Sequence, residues 1–192
     1  MNLRSVTLFP AETPTKAIDI RDKPVAQAAD GSLKLTATNA EIDGQTNRLE
    51  GGEKKFIVWR NGPEGFIKWP VWIDEPGTFS IHATYSLATS TSTRQVQIDG
   101  EGQKTTVALP PTVSDKSKVS LTVAGQTVAN TLKAGGGWDD FKTEKLGSVT
   151  VSHGGTFEVI VSSPEPLGTL VMHLQSVSLI PVGKEPSEAE SD

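Results

Sequence analysis

From Leu33 to Val182 the chain alternates apolar and polar residues with a period of two, and that pattern fits a strand with one buried face far better than any helix. In "GTFSIHATYS", Phe79, Ile81, Ala83 and Tyr85 fall on one face, with Thr78, Ser80, His82 and Thr84 on the other. "GFIKWPVWI" repeats the arrangement with Ile67, Trp69, Val71 and Ile73 inward. Lys68 and Pro70 on the opposite parity suggest an exposed face near a sheet edge, because proline brings no N–H to a ladder.

Turn chemistry divides the alternating region into short strands. "KVSLTVAGQTVANTL" is expected to be a hairpin about Ala124-Gly125, and "GSVTVSHGGTFEVIVSS" another that turns at His153-Gly154-Gly155. In "LGTLVMHLQSVSLIPV" the apolar residues begin as Leu170, Met172 and Leu174 and resume as Val177 and Leu179 on the other parity. Such a phase change needs one extra residue, which predicts a β-bulge near Gln175-Ser176. About nine or ten short antiparallel strands without a long helix specify an all-β fold, an antiparallel β-sandwich. Residues 33–182 form this domain. Residues 1–32 are expected to be a linker or the tail of a preceding enzyme domain, and 183–192, with five charges and no large apolar side chain after Val182, a disordered acidic tail.

Composition narrows function. A length of 192 residues supports one well-buried domain. A net charge of -5 with no Lys/Arg cluster along the sequence argues against nucleic acid and disfavours polyanions. No apolar run reaches membrane-span length, so no membrane partner is expected. With zero cysteines there is no disulfide framework and no thiolate chemistry.

His82, His153 and His173 show no zinc-binding spacing, and no GxSxG elbow is present. Asp139 and Asp140 are adjacent, with Glu158 nearby in sequence, yet consecutive strand residues point to opposite faces and so do not flank one glycosidic bond. The chain is therefore read as no enzyme. Trp69 is in phase with the core. Trp72 is on the opposite parity, at the surface or an interface. Trp138 in "GGGWDDF" stands in a loop with no apolar face of its own to cover. Either it folds back to plug the end of the sandwich, or its indole stacks on a sugar ring.

The order of "LKLTATNAEIDGQTNRLE", "FIVWRNGPEGFIKWPVWIDEPGTFSIHATYS", "LKAGGGWDDFKTEKLGSVTVSHGGTFEVIVSS" and "LVMHLQSVSLIPV" resembles carbohydrate-binding modules of the family-6 and family-35 type. Those are galactose-binding-like jelly rolls, and the closest flavour is the C-terminal module of bacterial family-29 alpha-L-fucosidases and related secreted hydrolases. The resemblance implies a polysaccharide or oligosaccharide ligand, an attached catalytic domain and a secreted or periplasmic location. It also implies a sugar slot between two facing rings, Trp59 and Trp138, with Asn61, Arg60, His173, Asp139 and Asp140 as hydrogen-bonding residues. Such modules also hold a structural calcium; the matching positions here read Thr38, Glu50 and Gln175, and with only Glu50 acidic the ion is expected to be absent or weakly held. The alternative is a structural accessory domain that packs on a catalytic domain without binding sugar, with Trp72 a candidate for its apolar patch.

Overall fold

The alternating segments pair into two six-stranded sheets with a shared core, in a computed structural model that describes residues 23–44, 47–60, 65–88, 93–97, 104–108, 116–164 and 170–184. In chain order the strands are β1 (Val25–Ala26), β2 (Leu33–Thr36), β3 (Glu41–Ile42), β4 (Arg48–Glu50), β5 (Phe56–Arg60), β6 (Ile67–Ile73) and β7 (Gly77–Ser86), with one 3-10 turn at Ala37–Asn39. They continue as β8 (Thr93–Gln97), β9 (Lys104–Ala108), β10 (Lys116–Val123), β11 (Gln126–Lys133), β12 (Lys142–Val151), β13 (Gly155–Ser162) and β14 (Leu170–Pro181). The fourteen strands among the described residues exceed the nine or ten expected, in part because β1, β3 and β4 are two or three residues long, too short to show a period.

The first sheet runs β1-β6-β13-β10-β11, with β3 also on β6; the second runs β12-β7-β14-β5-β4, with β2 also on β14. β8 and β9 form a separate ribbon. Parity does what the sequence dictates: Ile67, Trp69, Val71 and Ile73 of β6 meet Phe79, Ile81, Ala83 and Tyr85 of β7 in one core. Each such large side chain stabilises the fold by about 1.5–3 kcal/mol through burial. The bulge stands where the phase change puts it, between Leu174 and Ser176. The Ala124-Gly125 hairpin joins β10 to β11, with both turn residues at positive φ, as a twisted two-residue turn requires.

Three expectations are corrected. β12 pairs with β7 while β13 pairs with β6 and β10, so the turn at His153-Gly154-Gly155 carries the chain from one sheet to the other and is not a hairpin. A reversal and a crossover need the same small, flexible residues. Second, β6 lies inside its sheet. Proline is accommodated there because β3 covers Ile67 and Lys68, β1 covers Val71 and Trp72, and Pro70 falls in the gap between these two short strands. Third, the sandwich reaches back beyond residue 33: β1 pairs in parallel with β6, and the Gln27 side chain accepts from the Asp74 and Glu75 amides at 2.7 and 2.8 Å. Residues 1–22 and 185–192, on which the remaining linker and tail expectations fall, lie outside the described residues.

Candidate functional site

At one end of the second sheet, the loop between β11 and β12 crosses the end of β7. The Gly135 amide donates to the Leu87 carbonyl at 3.1 Å, Gly136 bridges Ala88, and buried Ser86 donates its hydroxyl to the Trp138 carbonyl at 2.6 Å. Gly136 holds a φ of 152°, and a Cβ there would run into the Asp140 carboxylate. The glycines thus let the loop come down close on the strand end and carry Trp138 with it. Asp140 Oδ2 accepts from the Gly137 amide at 2.6 Å and closes this turn, which leaves Asp139 at the surface. The two aspartates thus have different settings, Asp140 bonded within the turn and Asp139 exposed beside it.

Trp138 does not face Trp59. Its ring lies 4.7 Å from His173, and the imidazole is stacked on its other side with Phe56 at 4.8 Å and 20°. Phe141 follows, 5.6 Å from Phe56. The result is a row of four rings, Trp138, His173, Phe56 and Phe141, across β5, β14 and the β11–β12 loop. Trp59 is 0% exposed, in phase with Ile57 on the core side of β5, and its Nε1 has no hydrogen-bond partner among the described residues. The two-indole slot is corrected accordingly: one ring is in the interior, and His173 occupies the place opposite the other. Period-two counting from Ile57 would have found this.

A groove of about 400 Å³ opens beside the ring row, lined by Phe56, Phe141, Asp139, Lys54, Gln175 and the Gly51-Gly52 turn. Phe56, Phe141 and Lys54 were missed by sequence reasoning; Phe56 is recoverable, since it shares the outward parity of β5 with Arg60. Arg60 is partly buried, with its amide donated to Asn47 Oδ1 at 2.7 Å, and its charge is felt at His173. Asn61 lies outside the described residues. His82 bonds Ser80 at 2.9 Å, and His153 packs on Phe157 far along the chain from this groove.

The calcium positions do not fit a hard cation. Glu50 is engaged by Arg48, Thr38 bonds Thr36 at 2.9 Å, and Gln175 lines the groove. Among the described residues no three acidic or histidine side chains converge on a metal site.

Burial pushes the His173 imidazole below its ordinary value of 6.5, and Arg60 adds to this. The Trp138 backbone and the charges of Glu50 and Asp139 pull the other way. The folded protein then binds the proton less tightly than the unfolded chain. This contribution to stability is complete above about pH 6.5 and is lost as the pH falls through the lower folded value. Thermal unfolding at about pH 7.5 and about pH 5 should show the wild type losing more stability on acidification than His173→Gln. Equal losses would contradict the buried neutral imidazole.

Neither a protein-family model nor a curated protein sequence matches the chain. Solved structures do. A family 35 carbohydrate-binding module from Clostridium thermocellum is 12% identical, with a TM-score of 0.56 over 77% of this chain and 97% of that one. The CBM36-1 domain of a multidomain xylanase from the hindgut metagenome of Trinervitermes trinervoides is 11% identical, with a TM-score of 0.52 over 77% and 95%. The Podospora anserina GH26-CBM35 β-(1,4)-mannanase is 11% identical, with a TM-score of 0.53 over 82% of this chain, which spans 29% of the mannanase. The chain therefore has the galactose-binding-like β-sandwich fold of these modules.

Proposed function

We propose that this chain is a non-catalytic carbohydrate-binding module that grips a glycan in the loop-end groove and brings an attached glycoside hydrolase, exported with it, to a polysaccharide. The observation that carries the reading is the groove itself: Phe56 and Phe141 present ring surface beside an acceptor, Asp139, a donor, Lys54, and an amide, Gln175. A pyranose has the matching character, with apolar C–H patches on its faces and hydroxyls at its rim. Trp138 braces His173, which supports Phe56, so that the ring row is stiff before ligand arrives. The names of the structural neighbours point the same way.

The accessory-domain alternative needs a continuous apolar face. Among the described residues the exposed large apolar side chains are Leu49, Trp72 and Val182, which stand on separate segments, and the Trp72 indole N–H is already donated to Asp74 at 2.6 Å. The test is electrophoresis of the chain through gels that contain plant and algal polysaccharides. Retardation by at least one of them, reversed by its soluble oligosaccharide, is expected; free migration through all of them overturns the reading.

A further inference from the structure

The groove does not end at Gln175. A trough of about 520 Å³ runs along the outer face of the second sheet, and Lys54 and Gln175 line both cavities. Its character differs from that of the groove. No aromatic side chain lines it; its floor is hydroxyl-bearing, with Thr36, Thr84, Thr143, Ser176 and Ser178. Three lysines also line it, Lys34 from β2 and Lys54 and Lys55 from the β4–β5 turn, against one acidic residue, Glu53. This local cationic excess belongs to a chain whose net charge is -5. Lys55 donates to the Gly51 carbonyl at 2.6 Å; among the described residues Lys34 and Lys54 have no ion-pair partner. The cluster is assembled by folding, because Lys34 is about twenty residues from the other two.

We propose that the ligand is an internal stretch of an anionic polysaccharide, with one sugar on the ring row and a neighbouring carboxylate or sulfate group held in the trough by Lys34, Lys54 and Lys55. This rests on the glycan-binding reading and specifies its substrate class. Like charges gathered over a concave floor raise the local potential, and an anion that neutralises them gains charge-assisted hydrogen bonds from the ammonium groups. The floor hydroxyls keep capacity for a sugar: Thr84 and Thr143 bond each other at 2.9 Å, yet each hydroxyl has one donor and two acceptor sites. Two open cavities that share a wall suit a chain passing through better than a chain end. A nucleic acid is a poorer match, since the trough offers no ring on which a base could stack.

The experiment compares polygalacturonate with its methyl ester, and dextran sulfate with dextran, for binding by the full chain at low and at raised salt. The Lys34→Gln/Lys54→Gln double variant is run beside the wild type. At least one charged polymer should bind about tenfold tighter than its neutral counterpart, with the preference falling as salt rises and lost in the double variant, whose melting is unchanged. Which pair shows the preference tells carboxylate from sulfate. Equal binding of charged and neutral polymers, untouched by the double variant, overturns this inference and leaves glycan binding standing. Retention of no polysaccharide overturns both. Binding of single-stranded DNA as tightly as the preferred polymer also overturns it, by showing a general polyanion surface.

Discussion

An alanine at position 59 should leave a protein about 3–5 kcal/mol less stable than the wild type, out of a total of roughly 5–15 kcal/mol for a domain of this kind. Trp59 is among the largest fully buried side chains, and its removal empties a space between the two sheets. One effect opposes the loss. The indole Nε1 is buried without a partner among the described residues, and deleting an unsatisfied donor relieves about 1–3 kcal/mol. Cavity and transfer terms exceed that relief, so the sum stays destabilising. Trp59→Phe, which keeps most of the apolar surface and also removes the orphan N–H, should cost less than half as much. Urea unfolding measures both: the alanine variant should shift the midpoint down by more than about 1 M. A shift too small to measure, accompanied by loss of glycan binding, would return Trp59 to the surface and restore the two-indole slot.

Phe141→Ala should do the opposite, weakening glycan binding severely while sparing the fold. The ring is partly buried, in contact with Phe56 at its side of the groove. Truncation removes half-covered surface worth about 1–2 kcal/mol, and the core does not depend on it. In the comparable case of nucleic-acid bases on aromatic side chains, each stack contributes about 1–3 kcal/mol, which is a loss of about 5- to 150-fold in affinity. Isothermal titration with the retained glycan, paired with a melting curve, separates the two effects. Unchanged affinity in a folded Phe141→Ala would remove the ring row from the binding site.

How much of this was legible in the sequence varies with the physics behind each feature. Strand parity and the bulge were readable because one buried face forces strict alternation, and a break in alternation has a single economical cause. The crossing at His153-Gly154-Gly155 was not, since local turn chemistry is blind to which sheet the next strand joins. Trp59 was misplaced because a residue just before a loop resembles a loop residue, although its parity with Ile57 already set it inward. His173 was expected as a polar partner on the last strand and is found at the centre of the ring row; its stacking depends on Phe56, 117 positions away in the numbering, and no short pattern records that. The lysine trough was hidden for the same reason. Pairing of β14 with both β2 and β5 brings Lys34 to the turn that carries Lys54 and Lys55, in a chain whose linear sequence shows no basic cluster.

The proposed place of the ligand is the groove beside Phe56 and Phe141, at one end of the second sheet. Titrating the isotope-labelled chain with its retained glycan and following amide signals by NMR tests that directly. Gly51, Gly52, Asp139 and the Gln175 side-chain amide should shift and saturate together, while the Trp72 indole on the outer face of the first sheet stays still. Saturable shifts centred on Trp72, with the groove amides unmoved, would contradict it.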